Sequence, residues 1–150
     1  ESLRIKPIPA AHEELETIDG IERAHRYVGY LIELNGVKLY HAGDTVIYPG
    51  LPELLAHEEI DLGMLPINGR DYFRTTRGIV GNMNYREAVE LTNAASFDMV
   101  IPLHYDLFAG NTEKPGHFIQ ELYESYPGQK AHVMARGERF VYCAPHAFLR

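Results

Sequence analysis

Three side chains able to bind a metal stand at the ends of three apolar runs. They are His12 after Ile8-Pro9-Ala10-Ala11, Asp44 after Tyr40-His41-Ala42-Gly43, and His104 after Ile101-Pro102-Leu103. Two imidazoles and a carboxylate are a ligand set for zinc, manganese or iron, and strand ends hold ligands stiffly enough to fix a coordination geometry. Each also has a plainer local role. A histidine at a strand end serves as a hydrogen-bonded surface residue, and an aspartate after glycine forms turns. The three are too far apart in the chain for a short HxxxH motif, so their meaning depends on the elements that position them.

Residues 3–8 alternate apolar and polar and predict a short strand, stopped by Pro7 and Pro9. Residues 15–26 are acidic, lack a period and read as an irregular excursion. Residues 27–34 are a strongly apolar strand, and Asn35-Gly36 is a type I′ hairpin signal because both residues tolerate positive φ. Residues 37–41 return antiparallel and deliver Gly43-Asp44-Thr45 to the open end of a strand. Helical spacing follows over 51–59, with Pro52 in the first turn, then a buried strand over 61–67.

Residues 84–95 predict a helix with Ala88, Leu91 and Ala95 on one face, capped by Asn84 or Asn82, with Glu87 three residues after Asn84. A short strand over 99–103 runs straight into His104-Tyr105-Asp106. Residues 116–126 form an amphipathic helix with Phe118, Ile119, Leu122 and Tyr123 inward. Two strands, 130–134 and 139–143, close the chain. Strands alternating with helices after a hairpin indicate an α/β layered domain, and 1–150 reads as a single module without repeat or linker.

The bulk numbers exclude several functions. A net charge of -7 lacks the basic footprint of a nucleic-acid or membrane-surface binder. No apolar run approaches the ~20 residues of a membrane helix. The single cysteine, Cys143, leaves no internal disulfide and fits a reducing compartment such as the cytoplasm; its apolar run predicts a buried thiol. The one local basic concentration is the long loop 68–82, which carries Arg70, Arg74 and Arg77 and ends at Asn82. It is either a solvated or oligomer-contacting loop or a phosphate-binding one, since arginine grips phosphate bidentately.

The ordered set of Ala11-His12, Gly29-Tyr30, Tyr40-His41-Ala42-Gly43-Asp44-Thr45, Leu65-Pro66-Ile67, Gly81-Asn82-Met83-Asn84 with Glu87-Ala88, and Ile101-Pro102-Leu103-His104-Tyr105 resembles the metallo-β-lactamase superfamily. Within it the likeness is to the L-ascorbate-6-phosphate lactonase branch, and it runs over nearly the whole chain. The resemblance implies the second, C-terminal half of a four-layer αββα fold, a mixed sheet flanked by helices. It implies His12 as the isolated histidine ligand, Asp44 as the carboxylate that bridges two metals and His104 as the last histidine ligand, with Asp44 and His104 also catalytic. His41 either braces this site or is an ordinary strand histidine, and Tyr105 and Asp106 could support His104 by hydrogen bonding.

The superfamily's HxHxDH loop is not in these residues, because His25, His41, His57, His117, His132 and His146 stand singly. The chain starts at Glu1 rather than Met, so the resemblance places that loop upstream or in a partner. The expected activity is metal-dependent lactone opening on a small phosphorylated sugar acid, with one or two manganese or zinc ions. The alternatives are a phosphodiesterase or nuclease of the same superfamily and a non-catalytic half-domain. The expected partner is a second copy or a complementing N-terminal half.

Overall fold

The computed structural model describes residues 2–19, 21 and 24–145. His146 lies outside the described residues. A six-stranded mixed sheet runs in the order β1 (Arg4–Ala10), β2 (Tyr27–Leu34), β3 (Val37–His41), β4 (Leu62–Pro66), β5 (Met99–Leu103) and β6 (Lys130–Ala131). The first three strands are an antiparallel meander; β3 to β6 are parallel. Parallel neighbours need crossovers, and these are α1 (Leu51–His57), the pair α2 (Tyr72–Thr75) and α3 (Tyr85–Ala94), and α4 (Pro115–Ser125). The architecture is the mixed α/β fold expected from the sequence.

The hairpin forms at Asn35-Gly36, with φ of 54° and 79° as a type I′ turn requires. Helix α3 carries a full capping box: Asn84 Oδ1 accepts from the backbone N–H groups of Arg86 and Glu87, and Glu87 Oε2 accepts from Asn84 N–H.

Successive strand residues point to opposite faces, and among the described residues the helices cover one of them. On it, Leu31, Tyr40, Leu65 and Val100 pack with Leu51, Leu55, Val89, Leu91, Phe118 and Leu122 in one buried cluster. The alternate residues Ile32, Leu34, Val37, Leu39, Met64 and Ile101 line an apolar hollow of about 630 Å³ on the other face.

Four expectations are corrected. β1 does not stop at its prolines but runs through Pro7 and Pro9 to Ala10. It is the edge strand, where a missing N–H faces no partner, and the Pro9 carbonyl is taken by the Tyr48 hydroxyl at 2.8 Å. Residues 139–143 are not a strand, and β6 stops at Ala131. Of their apolar side chains, Phe140 and Tyr142 lie against the open sheet face with Met134, while Val141 is exposed. Cys143 is therefore exposed rather than buried. Tyr123 is 72% exposed, on the outer side of α4, while Phe118 and Leu122 turn inward.

Candidate metal centre

All three metal-ligand candidates follow strands whose ends lie on one edge of the domain. Asp44 lies 3.6 Å from His12 Nε2 through Oδ2 and 3.3 Å from His104 Nε2 through Oδ1. Each carboxylate oxygen thus faces a different imidazole. Two donors on one tetrahedral ion with bonds near 2.0–2.1 Å lie about 3.4 Å apart. Both spacings match that value, and the donors are of the right chemical kind, so the residues fit a divalent metal. The match is one of donor pairs: among the described residues no group of three or more His, Cys, Asp or Glu side chains is placed so that it could hold a metal ion by itself.

The turn that delivers Asp44 is held tightly. Gly43 adopts φ of 64°, and its backbone N–H donates to His41 Nδ1 at 3.1 Å. His41 thus braces the turn. Gly29 lets β2 approach closely: a Cβ there would stand 2.7 Å from the carbonyl oxygens of both His41 and Ala42.

Thr45 is the residue that sequence reading left without a role. Fully buried, its hydroxyl accepts from Ala11 N–H at 3.0 Å and donates to the Val46 carbonyl at 2.9 Å. Val46 N–H returns to the Ala11 carbonyl at 2.8 Å, and Met83 N–H donates to the Thr45 carbonyl at 3.0 Å. The Thr45 side chain therefore ties the segment bearing His12 to the segment bearing Asp44, and its backbone carbonyl ties both to Met83, just before α3. Its only sequence signal is its place next to Asp44.

His104 sits in left-handed backbone, at φ of 57°, a conformation a non-glycine residue adopts at a cost. Its ring lies 6.0 Å from that of Phe108, and its Nδ1 is buried without a hydrogen-bond partner among the described residues. Tyr105 and Asp106 do not supply one. The Tyr105 hydroxyl donates to the Met134 carbonyl at 3.3 Å, and Asp106 accepts from Arg136 at 3.1 Å, so both tie this segment to residues 134–136. Burial, then the neighbouring Asp106 charge, push the Tyr105 phenol above its ordinary range.

Around Asp44 lies a cleft of about 460 Å³ lined by His12, His104, Asn82, Asn111, Phe108, Ala109 and residues 78–80. Of the candidate substrate-binding residues, Asn82 borders it. Arg70 does not: it forms a two-pronged pair with Glu87, at 2.7 and 2.6 Å, and donates to the Asn82 carbonyl. Burial opposes the Glu87 charge, yet hydrogen bonds from Arg70 and from Asn84 N–H hold its carboxyl below the usual range. Arg74 turns to Asp71, the Asn68 carbonyl and the Thr112 carbonyl. Arg77 is exposed, next to Gly78 of the cleft wall. Within this loop lies the short helix α2, capped by Asp71, which the sequence did not reveal. Asn68, Asn111 and Phe108 were likewise missed.

A family model described as a beta-lactamase superfamily domain matches residues 1–105. A UPF0173 metal-dependent hydrolase of Alkaliphilus metalliredigens is 34% identical over 119 residues, which are 79% of this chain and 48% of that protein. One from Thermococcus onnurineus is 35% identical over 136 residues, 89% of this chain and 52% of that protein. The chain spans about half the length of these relatives. Among solved structures, Igni18, described as a novel metallo hydrolase from Ignicoccus hospitalis, is 26% identical with a TM-score of 0.68, covering 91% of this chain and 51% of that one. With its residues 1–105 matched by the family model and its fold shared with Igni18, the chain belongs to the metallo-β-lactamase superfamily.

Proposed function

We propose that His12, Asp44 and His104 form one side of the metal centre of a hydrolase whose remaining ligands lie outside this chain. The observation that carries this reading is the Asp44 carboxylate, with a different imidazole at each oxygen inside a cleft. One or two divalent ions bound there, manganese or zinc, would supply a water acidified toward neutrality and polarisation of the electrophile. Asp44 orients the attacking water by accepting a hydrogen bond from it. His12 and His104 hold their rings at fixed positions on either side, His104 by backbone strain and by packing on Phe108. The orphaned His104 Nδ1 supports completion from outside, because a ligating histidine normally donates through its other nitrogen.

The open apolar sheet face favours a complementing N-terminal half as the partner over a second copy, since a second sheet would fill the hollow bordered by Ile32, Leu39, Met64 and Ile101. The substrate we favour is a small anionic sugar-acid lactone, as in the L-ascorbate-6-phosphate lactonases. Arg77, exposed beside Gly78 of the cleft wall, gives an anion a partner. Nothing in a chain of net charge -7 favours nucleic acid. The decisive experiment adds manganese or zinc to the intact protein and follows hydrolysis of a phosphorylated sugar lactone. Metal should restore hydrolysis and Asp44→Ala should abolish it; full activity in Asp44→Ala would sink the assignment.

A further inference from the structure

Behind the cleft, three buried asparagines join head to tail. Asn82 Nδ2 donates to Asn68 Oδ1 at 3.0 Å, and Asn68 Nδ2 donates to Asn111 Oδ1 at 3.0 Å. They are 1%, 1% and 7% exposed for Asn68, Asn82 and Asn111 respectively. A chain of amides by itself reads equally well in either direction, because flipping every amide exchanges each donor for an acceptor. Arg74 removes the ambiguity. Its guanidinium has donors only, and Nη1 faces the Asn111 amide at 3.4 Å while also donating to the Asn68 carbonyl.

The Asn111 atom turned to Arg74 must therefore be oxygen. That oxygen draws Asn68 Nδ2, which leaves Asn68 Oδ1 for Asn82 Nδ2. What remains at the end of the relay is Asn82 Oδ1, buried and without a hydrogen-bond partner among the described residues. Asn82 borders the cleft that contains Asp44. Leaving such an acceptor unpaired is costly, so the site selects for something that donates to it.

We propose that Arg74, acting through Asn111 and Asn68, fixes Asn82 as a hydrogen-bond acceptor at the cleft, and that its amide oxygen receives a hydroxyl group of a polyhydroxylated substrate. The inference rests on the cleft being the substrate site proposed above. It makes Arg74 a positioning residue rather than an anion binder. It also supplies specificity: an analogue without the hydroxyl leaves the acceptor unpaired, which a buried polar site rejects strongly.

Replacing asparagine by aspartate removes the N–H donors, keeps the shape and adds a negative charge, which at residue 111 faces the Arg74 guanidinium, so the comparison of the two positions reads the direction of the relay. Asn111 uses its oxygen for both Arg74 and Asn68, and Asn111→Asp should leave Tm within about 1 °C. Asn68→Asp sets acceptor against acceptor and should lower Tm by about 5 °C or more. Equal responses at the two positions overturn the direction.

Binding is then followed on the intact protein through its ¹⁵N side-chain amide signals, with D-gluconate as the hydroxylated probe and hexanoate as the bare one. Gluconate should shift the Asn82 pair in the parent and in Asn111→Asp, and bind about tenfold more weakly in Asn68→Asp, the loss of one hydrogen bond. Should Asn68→Asp not fold, Arg74→Met should give the same loss, and no further loss in an Asn82→Ala background. Hexanoate should leave Asn82 unmoved. An equal response to both probes, gluconate binding that leaves Asn82 unmoved, or no gluconate response overturns the proposal; the last is what a permanently seated water on Asn82 would give. A separate zinc titration reads the His12 and His104 ring signals, so failure of the metal-centre reading is distinguishable from failure of this one.

Discussion

Two loops reach the same cleft and are built in opposite ways. The segment 41–46 carries one charged side chain, Asp44, and fixes it with backbone: the Gly43 N–H on His41, the Thr45 hydroxyl between Ala11 and Val46, and the close approach at Gly29. The loop 68–82 carries three arginines and commits two of them to internal pairs, Arg70 to Glu87 of α3 and Arg74 to Asp71, Asn68 and Thr112. A loop whose regular structure is limited to one short helix must pair its remaining polar groups elsewhere, and long arginines reach back to do it. Density of charge in a sequence is therefore a poor guide to charge presented at a site. One carboxylate on a rigid turn stands exposed to the cleft while most of a basic cluster does not.

The largest effect should come from removing the close approach that the first loop depends on. Gly29→Ala places a methyl 2.7 Å from two carbonyl oxygens, so β2 and the Asp44 turn must separate. We expect a loss of about 1–3 kcal/mol in urea unfolding, with zinc affinity of the intact protein falling as well. Unchanged stability would mean the turn is looser than its contacts imply.

Next, Thr45→Val keeps the shape and deletes the hydroxyl, leaving the buried Ala11 N–H unpaired. Its expected cost is about 1–3 kcal/mol, and Thr45→Ser should recover most of it. A valine variant as stable as the parent would show that the hydroxyl does not tie the two ligand segments.

The second loop answers to pH, with a smaller effect. Glu87 is more acidic folded than unfolded, because burial is outweighed by its hydrogen bonds with Arg70 and Asn84. Protons therefore bind the unfolded chain preferentially. Its contribution is complete above the ordinary glutamate value of 4.5 and fades as pH falls below it. Glu87→Gln should flatten that part of the acid limb in thermal melts; a variant with the same acid limb would place the sensitivity elsewhere.

Much of this was legible beforehand because it is local. The Asn35-Gly36 turn, the Asn84 and Glu87 capping box and the strands β2 to β5 each depend on neighbours within a few residues, and these formed as read. The misreadings share one cause. Pro7 and Pro9 stop a central strand but not an edge strand, and only the strand order shows which β1 is. Residues 139–143 have strand composition, yet they pack on a sheet face instead of pairing at its edge. Cys143 and Tyr123 followed from the same limitation, since periodicity states that a face is apolar and not whether anything covers it.

By itself the sequence determined most of the elements, the family resemblance and the three residues at strand ends, because propensity, turn chemistry and motif order are properties of a chain read in one dimension. Only the tertiary structure decided that the two oxygens of Asp44 face different imidazoles, that Thr45 ties their segments together, and that Arg70 and Arg74 turn inward. Those are contacts between residues separated by 6 to 60 positions, each satisfied by whichever partner the packed sheet brings within reach, and no local pattern encodes which partner that is.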